Sequence, residues 1–250
     1  GSEMCIRDSI KCSENTGKNR KYQRKTELRH EMKDTIIVSG GNIQKDFALD
    51  FLKKNRTEHT CIIAADRGVE FFMGTDLKPD IAVGDFDSLS KEGEAYMETL
   101  TNTEILRLKP EKDDSDTQSA VNYAIEHGAG KIMILGATGN RIDHLMANFG
   151  ILMLGKSKNV QIILADKYNY MCLIENGTIL KKEEQFGKYV SFFPIGGEVC
   201  NLTLKGFKYP LDGYCLRTED SGLTVSNEFR EANAEVTFDS GTLLMIMSRD

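Results

Sequence analysis

The amino-acid sequence predicts an α/β fold: a mostly parallel, Rossmann-like sheet flanked by helices, followed by a C-terminal all-β sandwich. From residue 33 to about residue 166, short β-rich runs alternate with longer helical patterns, which is typical of parallel strands joined by right-handed crossovers. Beyond about residue 167, turn pairs such as Asn176-Gly177 separate short apolar runs, and this spacing is typical of a sandwich or barrel. We therefore expect two folded domains, at residues 32–168 and 169–250.

In the first domain, each β-rich apolar run predicts a strand. The predicted strands are Thr35–Ser39, Cys61–Ala65, Ile81–Val83, Glu104–Leu108, Lys131–Leu135 and Val160–Leu164. The predicted helices are Asp46–Lys54, Val69–Met73, Lys91–Leu100, Ser115–His127 and Ile142–Leu154. The helix at Ser115 has the clearest signals, because Asp113 or Ser115 can cap its first turn and Gly128 can end it. In the second domain we predict strands at Tyr189–Phe193, Val199–Leu204 and Leu243–Met247.

Residues 1–31 differ from the rest of the chain. They are polar, rich in Lys and Arg, and without helical or strand periodicity. This composition is typical of disorder, and we expect a disordered or non-native extension, with Met32 as the candidate start of the protein.

Composition and charge exclude several classes of protein. The net charge of −6 disfavours a nucleic-acid partner, which requires a basic surface. We find no apolar run of the roughly 18 residues that a membrane helix needs and no signal-peptide core, and we expect a cytoplasmic protein without a membrane partner. The six cysteines show no Cys-x-x-Cys spacing, so zinc and a disulfide framework are both poorly supported.

The first of three acidic segments follows a predicted strand and runs from Gly84 to Ser88. An extended backbone would direct Asp85 and Asp87 to the same side, where both could bind one hard cation, while Phe86 points into the core. The alternative is a solvated acidic turn.

The second segment begins at Lys112 and leads into the predicted helix at Ser115. Asp113, Asp114 and Asp116 crowd three carboxylates into four positions, which is repulsive unless a cation lies among them. Lys112 could then contact phosphate oxygens. The alternative for Asp116 is a simple helix-capping acid.

The third segment follows the predicted strand Lys131–Leu135. Its Gly136-x-x-Gly139 loop could cradle phosphate with backbone N–H groups, and Arg141 could hold phosphate oxygens in a bidentate manner. Arg141, His144 and Asn148 lie three and four residues apart and therefore share one face of the next helix. The alternative for His144 is a structural contact that supports the loop.

In order and in spacing, these residues resemble bacterial thiamine pyrophosphokinases. The resemblance runs from about Met32 to the end of the sequence. It rests on Ala65-Asp66-Arg67-Gly68, Pro79-Asp80 with Gly84-Asp85-Phe86-Asp87-Ser88, Lys112-Asp113-x-Ser115-Asp116, and Gly136-x-x-Gly139-x-Arg141-x-Asp143-His144 with Asn148. A weaker match is Ser226-Asn227-Glu228, which is similar to a Ser-Asn element of the thiamine pocket.

The resemblance implies transfer of the β,γ-diphosphate of ATP to the hydroxyl of thiamine, releasing AMP, with Mg²⁺ as cofactor. It implies an α/β domain that binds ATP and Mg²⁺, a β-sandwich that binds thiamine, and a homodimer with active sites near the subunit interface. The chain has no Trp, so an aromatic contact to thiamine would come from Phe or Tyr, with Phe192, Phe193 and Tyr214 as candidates.

The same resemblance implies a role for each site residue. The implied metal ligands are Asp85, Asp87 and Asp116, which form the catalytic set together with Arg141 and Asp143, the candidate general base. The implied ATP-binding residues are Asp66, Lys112, Asp113, Ser115, Gly136, Gly139, Arg141 and His144. The implied thiamine-binding residues are Asp87, Asn148, Ser226 and Asn227. Arg67 stands where many relatives have Gly, so nucleotide contacts at that turn could differ.

Two other functions remain open. A metal-dependent sugar-nucleotide transferase also uses an Asp-x-Asp pair, although it would leave the segment from Arg141 to His144 without a role. A catalytically silent sensor of thiamine or thiamine diphosphate would keep the fold but would not need the intact acidic residues.

Overall fold

The computed structural model describes residues 34–109, 114–139 and 141–250. The predicted extension at residues 1–31 and the predicted ATP-binding residues Lys112 and Asp113 lie outside these ranges. By their contacts, the described residues belong to one compact unit. Within the described ranges, every helix is too short or too polar to cross a membrane.

The described residues form four α-helices and thirteen strands. The helices are α1 (Lys45–Asn55), α2 (Lys91–Glu98), α3 (Asp116–Glu126) and α4 (Ile142–Ser157). The first six strands are β1 (Asp34–Val38), β2 (Thr60–Ala65), β3 (Ile81–Gly84), β4 (Glu104–Arg107), β5 (Lys131–Leu135) and β6 (Gln161–Ala165). The others are β7 (Asn169–Ile174), β8 (Thr178–Lys181), β9 (Tyr189–Pro194), β10 (Val199–Lys205), β11 (Leu211–Leu216), β12 (Asn233–Thr237) and β13 (Leu243–Ser248).

Nine strands form one mixed sheet in the order β4-β3-β2-β1-β5-β6-β7-β13-β9. Strands β1 to β6 pair in parallel, and β7, β13 and β9 continue the sheet antiparallel. A second, antiparallel sheet has the order β11-β10-β12-β8. The predicted class, a mostly parallel sheet with helices followed by an antiparallel part, is confirmed.

The predicted boundary at residue 168 does not coincide with an edge of the large sheet. Strands β7, β9 and β13 come from the predicted sandwich but pair with each other and with β6. Turn spacing indicates antiparallel strands without indicating their partners, which explains why the sequence could not show this shared sheet. The division into domains at residue 168 stays a prediction.

The centre of the large sheet is buried on both faces, as is typical of parallel strands, whereas the edge strand β4 is mostly exposed. In β1, Ile36, Ile37 and Val38 are all fully buried. Ile36 and Val38 face the core shared with α1 and the second sheet, whereas Ile37 faces the core under α3 and α4. Because β1 is anchored in both cores, the polar residue that follows it has a fixed position at the edge of the sheet.

The predicted helix bounds agree with the structure to within a few residues, with one difference in helix type. The predicted helix at Val69–Met73 is a 3₁₀ helix that spans Asp66–Phe72. Short helical pieces commonly take this tighter form, which a five-residue apolar pattern does not distinguish from an α-helix. Gly128, with φ of 85°, follows α3 as predicted.

Candidate active site

The candidate site lies at the carboxyl ends of the parallel strands. Ser39 follows β1, Asp66 follows β2, Asp85 follows β3 and Gly136 follows β5. The strand order reverses between β1 and β5, because β2 to β4 extend to one side of β1 and β5 and β6 to the other. Ligands of open α/β sheets bind at such a switch point.

Three carboxylates come together beside this switch point. Oxygen atoms of Asp66, Asp85 and Asp87 all lie within 4.8 Å of one another. Such a group of oxygen ligands fits a hard cation such as Mg²⁺. Asp116, the third predicted metal residue, is not in this group, and the structure brings Asp66 to Asp85 and Asp87 instead.

The turn after β3 brings Asp85 and Asp87 together, but its backbone conformation differs from the predicted extended one. Phe86 has φ of 63°, so the backbone is left-handed at this residue rather than extended. The Phe86 ring is buried, as predicted, and its burial fixes the turn. The N–H group of Asp87 donates to Asp85 Oδ1 at 3.2 Å. The two carboxylates therefore meet across a tight turn.

Asp66 has an unusual local setting at the start of the 3₁₀ helix. Its φ is 47°, and its Oδ2 accepts a hydrogen bond from the Ser88 hydroxyl. Its Oδ1 is buried and has no hydrogen-bond partner among the described residues. A buried carboxylate oxygen without a donor is costly unless a cation or another ligand satisfies it. This oxygen is the observation that most directly supports a metal site here.

The electrostatics of the cluster agree with a cation site. The charge of Asp85 raises the pKa of Asp87, and burial, Asp66 and Asp116 contribute in the same direction. Asp116 is thus close enough to act on the cluster, although it lies at the start of α3. Mutual repulsion of this kind is relieved when a cation binds.

A cavity of about 530 Å³ opens beside the carboxylates. Its walls include Asp66, Arg67 and Ser88 on one side and the start of α3 on the other. The glycine loop after β5 and residues of α4 complete it, with Gly136, Gly139, Arg141, His144 and Asn148 among the lining residues. Every predicted ATP-binding residue within the described ranges therefore lines this one cavity.

Two glycine turns approach each other closely in this cavity. A Cβ atom at Gly41 would lie 2.1 Å from the Gly136 carbonyl oxygen, and one at Gly136 would lie 2.5 Å from the Ser39 carbonyl oxygen. Gly136 also has φ of 76°. Both positions thus require glycine, and the close approach leaves backbone, rather than side chains, facing the cavity. Gly40 and Gly41 both line the site.

The start of α4 presents a charged pair to solvent. Arg141 Nε donates to Asp143 Oδ1 at 3.1 Å, and Arg141 Nη2 donates to Asp143 Oδ2 at 2.5 Å. The hydrogen bond from Arg141 lowers the pKa of Asp143 to about 2. A carboxylate with such a low pKa is a weak base, so this contact disfavours Asp143 as a general base while the pair is intact. His144 lines the cavity, and its N–H donates to Asp143 Oδ1 at 2.9 Å.

Asn148 supports the glycine loop. Its side chain is buried, and its Nδ2 donates to the Ala137 carbonyl oxygen at 2.7 Å. It also lines the cavity together with predicted ATP-binding residues, whereas Ser226 and Asn227 are not among the lining residues. The predicted contact with thiamine stays a prediction, and the structure adds a role in holding the loop.

Asn148→Ala should lower the free energy of unfolding by about 1–2 kcal/mol, because it leaves the buried Ala137 carbonyl without its donor. Chemical denaturation measures this change. Asn233→Ala, at an exposed position of β12, is the matched control and should alter stability little. Equal losses in both variants would contradict the role of Asn148 in the loop.

The start of α3 is well defined. Ser115 is the N-cap, and its hydroxyl accepts a hydrogen bond from the Gln118 N–H at 3.2 Å, which decides between the two predicted caps. Asp116 lies in the first turn and, like Ser115, lines the cavity. The buried hydroxyls of Thr117 and Ser39 lie 2.5 Å apart and connect α3 to the end of β1. No local sequence pattern indicates this contact, because only the fold brings the two residues together.

The predicted thiamine residues in the C-terminal part have different settings. Ser226 is exposed, with φ of 56°. Asn227 is 1% exposed, and its Oδ1 accepts from the N–H groups of Tyr209 and Glu228 while its Nδ2 donates to the Tyr209 carbonyl. These bonds favour a structural role for Asn227 over the predicted contact. Phe192 is also fully buried, so it belongs to the core.

A larger cavity, of about 900 Å³, lies at the opposite edge of the sheet. Its lining includes Gly130 and Gln161, at the amino ends of β5 and β6, and the rings of Phe47, Phe51 and Phe186. It does not contain the acidic cluster. We therefore place the candidate active site at the smaller cavity, whose lining includes the carboxylates of Asp66 and Asp116, two glycine turns and the Arg141 side chain.

Comparison with known proteins identifies one family along most of the chain. The chain matches the family "Thiamin pyrophosphokinase, catalytic domain" over residues 52–164 and "Thiamin pyrophosphokinase, vitamin B1 binding domain" over residues 177–243. A curated thiamine pyrophosphokinase of Bacillus subtilis is 34% identical over 219 residues, which cover 88% of this chain and 100% of the relative. The chain belongs to the thiamine pyrophosphokinase family.

Solved structures of the family have the same fold. The thiamine pyrophosphokinase of Bacillus subtilis matches with a TM-score of 0.78 and 31% identity, covering 87% of this chain and 100% of that one. A thiamin pyrophosphokinase family protein of Enterococcus faecalis matches with a TM-score of 0.71 and 32% identity, covering 87% and 99%. The catalytic-domain match contains the acidic cluster and Arg141, and the second match contains Ser226 and Asn227.

Proposed function

We propose that this protein transfers the β,γ-diphosphate of ATP to the hydroxyl of thiamine, forming thiamine diphosphate and AMP. The observation that supports this most strongly is the Asp66, Asp85 and Asp87 cluster beside a glycine-walled cavity, in a chain of the thiamine pyrophosphokinase family. A polyphosphate needs both a cation and backbone donors, and this edge of the sheet supplies a place for each.

Within this proposal, Asp85 and Asp87 hold Mg²⁺ together with Asp66, and Asp116 stands beside them at the start of α3. Bound Mg²⁺ would offset the negative charge of the transferring phosphates. The loop at Gly136 and Gly139 offers backbone N–H groups to phosphate oxygens. Arg141 is 69% exposed and can turn from Asp143 toward a phosphate. Lys112, outside the described residues, is proposed as a further phosphate contact.

For thiamine we propose a site that includes Asp87 and the exposed Ser226, with Tyr214 or Phe193 as the aromatic contact. Asn227, the next residue after Ser226, supports this site by joining its segment to the backbone of Tyr209 through two hydrogen bonds. Because ATP is the donor, we propose a cytoplasmic location.

We further propose a homodimer that uses the exposed apolar face of α4. Ile142 is 74% exposed and Met146 is 61% exposed, and residues four apart share one face of a helix. Apolar side chains exposed side by side are typical of an interface.

Met146→Glu should therefore convert the dimer into a monomer, because it would bury a charge in an apolar interface. Sedimentation velocity measures the mass. Met146→Leu is the control and should leave the dimer intact. A monomeric wild-type protein, or a dimer unaffected by the Glu substitution, would refute the proposed interface.

The proposed reaction is tested by product analysis of the purified protein with thiamine, ATP and Mg²⁺. Equal amounts of AMP and thiamine diphosphate, both lost on chelation of the metal, are expected. ADP with thiamine monophosphate would mean that a different bond is broken. Binding of thiamine without turnover would favour a sensor, and consumption of a sugar nucleotide would favour the transferase.

A further inference from the structure

A second group of metal-ligating side chains lies far along the chain from the acidic cluster, on the four-stranded sheet. Cys200 of β10 and Cys215 of β11 place their Sγ atoms 3.9 Å apart. Glu198 Oε1 lies 3.6 Å from Cys200 Sγ. One ligand atom from each of the three residues lies within 4.8 Å of the others, and all three side chains are at least partly exposed.

A β-bulge brings the two cysteines together. Val199 pairs with Leu216 and Leu202 pairs with Tyr214, so two residues of β10 oppose Cys215 alone. One of those two, Asn201, has φ of 57°. The cysteines are 15 residues apart in sequence, which is why local spacing gave no sign of a zinc site.

We propose that Glu198, Cys200 and Cys215 bind a thiophilic divalent cation, with Zn²⁺ as the best fit. Zinc takes sulfur at about 2.3 Å and carboxylate oxygen at about 2.1 Å in a tetrahedron, so two sulfurs should be about 3.8 Å apart and sulfur and oxygen about 3.6 Å apart. The observed separations, 3.9 Å between the two sulfurs and 3.6 Å between Cys200 Sγ and Glu198 Oε1, fit these two edges, and all three ligand atoms lie within 4.8 Å of one another. A disulfide, in contrast, would require the sulfurs to approach to about 2.05 Å.

The charges around the group also suit a divalent cation. Two thiolates and one carboxylate bring three negative charges, a divalent cation leaves one, and the Arg217 guanidinium offsets it. Arg217 Nε lies 3.4 Å from Glu198 Oε2, so the arginine engages one carboxylate oxygen and the other lies toward the sulfurs. Metal binding would release the two thiol protons. Three protein ligands leave a fourth position for water or a further donor.

The test uses Co²⁺ as a spectroscopic substitute for Zn²⁺ on the reduced, full-length chain. We expect Co²⁺ to produce the near-ultraviolet absorption band of thiolate-to-cobalt charge transfer. Added Zn²⁺ should displace the Co²⁺ and remove this band. The acidic cluster offers only oxygen ligands and cannot produce this band. Cys200→Ser and Cys215→Ser should each weaken binding at least about tenfold and reduce the band, and Glu198→Gln should weaken binding while keeping it.

Two control variants isolate the site. Cys61→Ala, in β2, should leave the band unchanged, as should a Cys5→Ser/Cys12→Ser double variant, which removes cysteines outside the described residues. Far-ultraviolet circular dichroism confirms that each variant is folded. Absence of the band in the wild-type protein, its survival in Cys200→Ser/Cys215→Ser, or formation of a Cys200–Cys215 disulfide in place of metal binding would overturn the proposal.

Discussion

Asp87→Asn should lower kcat/KM for thiamine diphosphate formation by at least about a hundredfold and leave the fold intact. Loss of one carboxylate charge weakens binding of the proposed metal ion. A bound metal ion lowers the activation free energy of a reaction at phosphate by several kcal/mol, and each 1.36 kcal/mol changes the rate by a factor of ten. The side chain is exposed, so its replacement creates no cavity. The Asp85 charge raises the pKa of Asp87, and removal of that repulsion should keep the melting temperature equal or slightly higher.

Asp76→Asn is the matched control, because Asp76 is an exposed carboxylate outside the cluster. It makes the same chemical change and should keep full activity. Steady-state kinetics over a range of Mg²⁺ concentrations, with a thermal melt of each variant, provides the measurement. Wild-type activity of Asp87→Asn would remove Asp87 from the proposed metal ligands. A large drop in its melting temperature would show a structural role instead.

Gly68→Ala should destabilise the protein by about 3 kcal/mol, at the upper end of the usual cost of overpacking. A Cβ at this position would lie 1.9 Å from the Val38 carbonyl oxygen and 2.7 Å from its carbon, and both are backbone atoms of a fully buried residue. The 3₁₀ helix would have to move away from β1. For a chain of this size, the melting temperature should fall on the order of 10 °C.

Gly222→Ala separates this steric effect from the general effect of replacing glycine. Gly222 also lies in a 3₁₀ helix, but a Cβ there meets no atom within 4 Å. Its substitution should change the melting temperature little. Equal melting temperatures of Gly68→Ala and the wild-type protein would show that the contact between the 3₁₀ helix and β1 is looser than the structure has it.

Local sequence patterns predicted most of the fold. The alternation of apolar runs and helical patterns located β1 to β6 and α1 to α4, because each of these elements has its own periodicity and turn signals. The pairing of β13 between β7 and β9 was not predictable. It depends on which strands meet in space, and turn residues do not encode partners.

The site was predictable to a similar degree. Asp85, Asp87, Gly136 and Arg141 follow strands, so their common edge could be expected from the sheet rule. The inclusion of Asp66 in the cluster depends on a left-handed backbone at that residue. This conformation is uncommon for residues other than glycine, and no local pattern in the sequence indicates it. The prediction that Asn227 binds thiamine rests on a Ser-Asn pair, and it stays a prediction. The structure shows that the side-chain amide of Asn227 forms hydrogen bonds with the backbone of Tyr209 and Glu228.

The insertion of β13 between β7 and β9 has a consequence for synthesis. Strand β9 joins the large sheet only through β13, so the ribosome has to synthesise the chain through Ser248 before β9 can pair there. Strands β1 to β6, in contrast, can pair in the order in which they emerge. Until then, the nascent chain leaves the edge of β7 open to pairing with other chains. A stalled or shortened product that lacks residues 243–248 would therefore be a substrate for chaperones and proteases, although its proposed catalytic residues have all been made.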